Sequence, residues 1–411
     1  MATLHTRCCI AGGGPAGMML GLLLARAGVD VLVLEKHADF LRDFRGDTVH
    51  PSTLEVLHEL GLLEDFLARP HDKAYDIHVD IGGERAHIAD FRRLKTRCGF
   101  IAMMPQWEFL DFLRDEGERH ASFRALLRTR AEGLIDEGGR VVGVRAAGSD
   151  GPLEIRADLV VGADGRHSTL RGAAGLPVRD LGAPIDVLWM RVTKLPTDVS
   201  GSGGRVGTGR FVALIDRGSY WQCAFVIHKG GIEAIRARGL PAFLADFAAL
   251  VPRFAGRLAA DLPDWEAIKL LSVSVDRLEQ WWKPGLLCIG DAAHAMSPIG
   301  GVGINLAIQD AVAAGNILGP ALADPACTPA ALDALLPRVQ QRRLFPTRVT
   351  QAVQVAAQNR LINPLLDSTQ APRMPAALKL LNRFPALRAL PAYAVGIGAR
   401  PEHVLPARKK S

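Results

Sequence analysis

Residues 8–35 constrain the fold more than any other stretch of this chain. An apolar run, Cys8-Cys9-Ile10-Ala11, enters the turn Gly12-Gly13-Gly14-Pro15-Ala16-Gly17 and continues into a helical pattern over residues 18–27. Gly12 permits the tight turn, Gly14 lets the backbone approach a pyrophosphate, and Gly17 lets the helix lie close to the strand. The helix N-terminus offers free N–H groups and a positive dipole end to the phosphates. Gly28 then closes the helix, and a second apolar strand over residues 29–34 ends in Glu35, followed by Lys36. An acidic residue about 20 positions beyond the glycines can accept the ribose hydroxyls of an adenosine. Gly12, Gly14, Ala16, Gly17, Glu35 and Lys36 are therefore the candidate contacts for the adenylate half of a dinucleotide. This motif alone does not separate NAD from FAD.

Two further motifs do. Residues 158–162 form an apolar strand that runs into Asp164-Gly165-Arg166-His167-Ser168-Thr169-Leu170-Arg171. Residues 285–289 form another that ends in Gly290-Asp291 and leads to the turn Pro298-Ile299-Gly300-Gly301-Val302-Gly303-Ile304-Asn305. A strand-end aspartate can accept a hydrogen bond from a ribityl hydroxyl, and the adjacent glycine lets that chain pass close to the backbone. The second turn opens a helix expected over residues 304–318, whose first N–H groups can face the O2 side of a flavin ring. Gly301, Val302, Gly303, Ile304 and Asn305 would hold that ring, and Pro298, Gly301 and Gly303 would border the reacting zone.

At these residues the chain resembles the class A flavoprotein aromatic hydroxylases, the p-hydroxybenzoate hydroxylase family, with its polyprenyl-phenol hydroxylase relatives. The resemblance covers residues 6–345 and rests on all three signatures in order. It implies a non-covalently bound FAD, with further contacts from Arg45 and from Gln106 at the start of a helix. It also implies transient reduction by NADH or NADPH, capture of O2 as a flavin C4a-hydroperoxide, and transfer of one oxygen to an aromatic, heteroaromatic or quinoid small molecule. That chemistry belongs to the cofactor; the protein positions the ring and excludes water, and no general base is named. A flavin-dependent reductase or dehydrogenase acting on a prenyl or polyketide substrate, or a non-catalytic FAD-binding partner protein, could occupy the same scaffold. Trp281-Trp282-Lys283-Pro284 does not make the Trp-x-Trp-x-Ile-Pro pattern of flavin halogenases.

The expected fold is α/β with α+β character: a Rossmann-type FAD domain, an inserted and mostly antiparallel β-sheet substrate domain, and C-terminal helices. The FAD domain is assigned residues 1–74, 97–177 and 278–345, the substrate domain residues 75–96 and 178–277, and the helical segment residues 346–411. In the strand at residues 220–228, a period of two places Trp221, Cys223 and Phe225 on one face and Gln222, Ala224 and Val226 on the other. The face of Trp221 and Cys223, with Met190 on a neighbouring strand, is expected to wall the substrate. Only 3 tyrosines are present, which suits a mainly apolar pocket. His294 is read as a structural hydrogen-bonding group and His50 as a turn residue.

A net charge of +6 mildly favours anionic ligands, but the basic residues are dispersed, which argues against nucleic acid. The 6 cysteines lack metal-ligand spacing, so no metal is expected, and Cys8 and Cys9 should point to opposite faces of a strand as reduced core thiols. No apolar run approaches the ~20 residues of a membrane span, and the N-terminus lacks a signal core, so the protein is expected in the cytoplasm as a monomer or homodimer. Residues 378–397 mix Lys379, Arg383 and Arg388 with leucines and alanines. They are read first as a cover behind the pocket and second as a surface for peripheral membrane contact.

Overall fold

The computed structural model describes residues 2–41, 48–199 and 201–405. Its larger sheet has eight strands, six of them in the order Trp282–Lys283, Leu286–Cys288, Gly151–Gly162, Ala2–Ala11, Val31–Leu34, Phe123–Leu126. Ala2–Ala11 runs parallel to both of its neighbours, as a strand leading into crossover helices must. Arg140–Gly148 pairs antiparallel with Gly151–Gly162, and Arg130–Glu137 pairs with it in turn.

One face of the parallel strands is covered by helices and the other by the antiparallel strands Arg130–Glu137 and Arg140–Gly148 with the short helix Thr169–Ala173, so both faces are buried and the strands read as continuous apolar runs rather than alternating ones. Cys8 and Ile10 enter the core layer that contains Pro15–Arg26 and Gly303–Ala323, while Cys9 and Ala11 enter the opposite layer with Leu134, Val144 and Leu170. The two thiols do point to opposite faces. Burial raises both, Cys9 to about 12, so neither is a thiolate nucleophile near neutrality.

The second sheet has seven strands in the order Lys269–Leu271, Ile185–Thr193, Tyr220–His228, Arg210–Asp216, Gly203–Gly207, Asp76–Ile81, Glu84–Asp90. All its pairings are antiparallel except Gly203–Gly207 with Asp76–Ile81. One face carries Leu188, Met190, Val212, Leu214, Trp221 and Cys223 and packs on Phe243, Phe247 and Phe254 from a helical excursion within residues 232–261. The other carries Val187, Ala224 and Val226 and packs on Ile299, Ile362 and Leu366.

Leu336–Ala357 is a single helix that passes through Pro346, so the expected boundary between residues 345 and 346 falls inside it. A proline inside a helix removes one N–H bond and bends the axis. Here the surrounding turns are tied down by tertiary bonds from Arg343, Gln351 and Gln354, which outweigh that local loss. The segment 299–323 is long and apolar enough to cross a membrane, but most of it is buried as core.

Candidate flavin site

Three tight approaches bring the three motifs together. Gly12 has φ +111°, and a Cβ there would lie 2.3 Å from the carbonyl oxygen of Ala163, so the first turn sits directly on the strand end before Asp164. The Ala163 N–H donates to the Ala11 carbonyl at 2.8 Å, and the Ile289 N–H donates to Gly162 at 3.0 Å, which joins the third motif to the second. Gly290 closes the triangle, because a Cβ on it would stand 3.0 Å from Cβ of Ala16 at the start of the first helix. Residues separated by more than 270 positions thus share one corner of the sheet, at the carboxyl ends of its strands, where open α/β sheets bind ligands.

The corner has the polarity of a dinucleotide site. Pro15–Arg26 starts at Gly14 with no side-chain cap and no acidic residue in its first turn, so its leading N–H groups are left for an anion. A Cβ added to Gly14 would meet no atom within 4 Å, the open cradle that a diphosphate needs. Glu35 closes the turn, its Oε2 accepting from the Gly13 N–H at 3.2 Å and its Oε1 from the His37 N–H at 3.0 Å. Lys36 beside it is exposed. Asp164 uses Oδ2 to accept from the N–H groups of Thr169 and Leu170 at 2.7 and 3.2 Å. Its Oδ1 is buried and takes no hydrogen bond among the described residues, an acceptor suited to a ligand hydroxyl. Gly165 turns the chain with φ +87°. These residues fit FAD, which when bound would supply the redox and oxygen chemistry.

The turn expected to hold the ring is tied down by Thr48, His50 and Asn305. Thr48 Oγ1 donates to the Gly301 carbonyl at 3.0 Å, and a Cβ on Gly301, where φ is +64°, would come within 2.5 Å of that oxygen. Asn305 Oδ1 accepts from the His50 N–H at 2.8 Å and from Thr53 Oγ1 at 2.7 Å, while its Nδ2 donates to the Thr48 carbonyl at 3.2 Å. Asn305 therefore splices the turn to the residues that follow the expected FAD contact Arg45, which itself lies outside the described residues. Val302 caps the helix Gly303–Ala323, whose first turn is again free of acidic side chains. Pro298 and Ile304 flank the turn, half-buried and buried, and Gln106 is the half-buried first residue of Gln106–Glu118.

Sequence reasoning missed what holds the Gly290–Asp291 loop in place. The Gly290 N–H donates to Asp310 Oδ2 at 3.0 Å, and His294 Nε2 meets the same oxygen at 2.5 Å. Arg343 Nε donates to Asp310 Oδ1 at 2.9 Å. The His294 and Arg343 charges hold the Asp310 carboxyl below its usual range despite complete burial. His294 is thus a structural partner, as expected. Further along the same helix, Gln351 Nε2 donates to the Ala295 carbonyl at 3.2 Å. Gln354 both accepts from the Ser297 N–H at 3.1 Å and donates to the Ser297 and Ile299 carbonyls at 2.9 Å, and Gln358 donates to Ser297 Oγ at 2.7 Å. The glutamine spacing of three and four was the one available signal, one face of a helix, but glutamines on a helix usually face water.

The residues expected to wall the substrate lie in a packed core. Trp221, Cys223 and Met190 are fully buried on the face that packs on residues 232–261, away from Ile299. Trp221 Nε1 donates to Asp198 at 2.9 Å, and Arg253 stacks over its ring at 4.4 Å. The alternation follows the expected period of two, and the helices of residues 232–261 cover the Trp221 side. The face toward the flavin turn carries Val187, Trp189, Ala213, Ile215, Gln222, Ala224 and Val226, with Ala213 level with Ala224 and Ala224 level with Trp189. Ile215 and Val395 share one cluster at its end, and Val395 also reaches Gly300. A separate concavity of about 830 Å³ between Asp80, Arg205, Arg210 and Pro372 lies at another edge of this sheet and includes no residue of the flavin turn.

Comparison with known proteins agrees with this geometry. The FAD binding domain family matches residues 5–353. The chain is 34% identical over 387 residues to 6-methylpretetramide 4-monooxygenase of Streptomyces rimosus, covering 94% of this chain and 91% of that protein. It is 29% identical over 318 residues to rifampicin monooxygenase of Streptomyces venezuelae, covering 74% of this chain but only 61% of that longer protein. Among solved structures, CabE, an aromatic hydroxylase from angucycline biosynthesis, superposes with a TM-score of 0.71 at 26% identity, covering 95% of this chain and 76% of that one. PqsL of P. aeruginosa in complex with 2-aminobenzoylacetate gives a TM-score of 0.72 at 24% identity, covering 88% of this chain and 98% of that one.

Proposed function

The chain belongs to the FAD binding domain family, as an FAD-dependent monooxygenase of aromatic compounds, and from that membership we propose that its substrate is a flat, largely apolar, multi-ring aromatic of the polyketide kind. The convergence of Gly12, Ala163 and Gly290 on one sheet corner carries the cofactor part of the reading. The sheet face above the flavin turn supports the substrate part. Its central row, Trp189, Ala224 and Ala213, sets one aromatic ring beside two methyl groups, an apolar surface suited to the face of a planar molecule.

In this reading FAD, reduced by NADH or NADPH, supplies the activation of O2. The chain's own residues bind and orient. The free N–H groups behind Gly14 neutralise the diphosphate, Asp291 and Asp164 accept from hydroxyls of the cofactor, and Asn305 fixes the turn from Gly301 to Gly303 under the ring. Val187, Ala213, Ile215 and Ala224 keep water from the reacting face. The protein works in the cytoplasm on a small molecule, as a single-component enzyme, monomer or homodimer, that needs no partner reductase.

The test is a panel of polycyclic phenols and quinones added to the purified yellow protein with NADPH or NADH under labelled O2. A productive ring compound accelerates NAD(P)H consumption and leaves with one labelled oxygen. A product saturated at a double bond without label would make the protein a reductase, and a flavin that no panel member helps NAD(P)H to bleach would make it a binding protein.

A further inference from the structure

The residues that hold the Gly290–Asp291 loop do not end at Asp310. Arg343, 1% exposed, donates through Nη1 to Glu402 Oε1 at 3.1 Å. Glu402, 5% exposed, also accepts from Arg342 Nε at 2.8 and 3.1 Å. Its own N–H donates to Gln309, the neighbour of Asp310 on the helix Gly303–Ala323. A carboxylate far from the dinucleotide fingerprints in sequence is therefore two side chains from the loop, through Glu402, Arg343, Asp310 and the Gly290 N–H. The arrangement alternates in charge, and each member is buried, so each depends on the next for its counter-charge. Asp310 and Glu402 share the guanidinium of Arg343, whose rigid planar fork presents Nε to one carboxylate and Nη1 to the other at fixed geometry, where a lysine offers only a flexible point charge.

Residues 400–405 are also clipped from a second side. His403 Nδ1 lies 2.5 Å from Glu59 Oε1, the Val404 N–H donates to Glu59 Oε2 at 2.7 Å, and the Leu405 N–H donates to Asn316 Oδ1 at 3.0 Å. These bonds attach the same segment without touching Arg343 or Asp310, so they provide an internal control. One carboxylate, Glu59, anchors the strap; the other, Glu402, anchors it and also reaches the flavin loop.

We propose that Glu402 is a positioning residue for the flavin: through Arg343 and Asp310 it sets where the Gly290–Asp291 loop stands, and so the affinity and environment of the bound cofactor. The inference rests on the flavin-site reading above. Removing the Glu402 charge leaves Arg343 to pair with Asp310 alone, and the Asp310 oxygens, which now bond Arg343, His294 and Gly290, redistribute. The loop then loses a fixed acceptor for its N–H.

Full-length wild type, Glu402→Gln, Glu402→Asp and Glu59→Gln proteins, stripped of cofactor and titrated with FAD, test this by flavin fluorescence and visible absorption, with melting of the apoproteins as a stability control. The expected result is an FAD Kd raised about tenfold in Glu402→Gln, with an altered visible flavin band. Glu402→Asp, which keeps the charge, should recover most of the affinity. Glu59→Gln should melt earlier yet bind FAD with wild-type affinity and spectrum. If Glu402→Gln does not accumulate, Arg343→Lys carries the same expectation. Wild-type affinity and spectrum in Glu402→Gln, or an equal loss in Glu59→Gln, overturns the proposal while the flavin site stands. A wild-type protein that binds no FAD overturns the site itself.

Discussion

His50 Nδ1 lies 2.8 Å from the carbonyl oxygen of Val395, so the residue that opens the helix Pro51–Glu59 is bonded to the C-terminal helix lying over the flavin turn. That bond has a pH signature. Burial lowers the His50 pKa from 6.5 to about 4. Between those values the unfolded chain binds the proton and the folded chain does not, so unfolding free energy rises with pH across the window. The contribution is complete above about pH 6.5 and lost as pH falls through about 4. Its full size is about 3 kcal/mol for a shift of this extent. Denaturant unfolding of wild type and His50→Asn from pH 4 to 7.5 should show the wild type gaining on the variant as pH rises; parallel curves would refute the buried neutral imidazole. Asp310, lowered below its usual 3.8, adds its own loss only at more acid pH.

Gly17→Ala should cost the protein its cofactor. The added Cβ would stand 2.0 Å from the carbonyl oxygen of Gly12, a backbone atom that cannot yield without opening the phosphate turn. We expect a purified protein with little bound flavin and a lower melting temperature. Retention of a full FAD complement would mean the turn is more plastic than the structure indicates.

Ala213→Trp separates the two faces of the second sheet. On the flavin-facing side the indole fills the space assigned to substrate, so FAD binding should persist while turnover of any multi-ring substrate falls at least tenfold, an effect of about 1.4 kcal/mol or more on the barrier. Trp221→Phe, on the covered side, should instead lower stability by removing the donor to Asp198 and leave turnover nearly unchanged. The reverse pattern would restore the Trp221 face as the substrate wall.

Gln354→Leu removes the donor and acceptor that serve Ser297 and Ile299. Buried backbone groups left unpaired cost about 1–3 kcal/mol each. The expected outcome is a clear loss of stability with faster flavin release, measured by dilution-induced fluorescence; an unchanged off-rate would show that the turn is held by Asn305 alone.

The cofactor corner was legible because its requirements are local. A turn beside a pyrophosphate needs glycine at Gly12, Gly14 and Gly17, and a strand-end aspartate needs a glycine next to it, as in Gly290–Asp291; such needs leave residue types at fixed spacing. The bonds from Gln351 and Gln354 that hold the long helix through Pro346 were not legible, because they join residues far apart in the sequence. Nor was the role of Glu402, which depends on partners 59 and 60 positions away.

By itself the sequence determined that this chain builds a dinucleotide corner and that two of its sheets are patterned differently, continuous in one and alternating in the other. It determined that Trp221 and Gln222 lie on opposite faces, since a strand's period of two is intrinsic to its backbone. Only the tertiary structure decided which of those faces meets the flavin turn. That choice depends on where the helices of residues 232–261 dock, and docking is settled by apolar surfaces meeting across the whole fold, which no local pattern encodes.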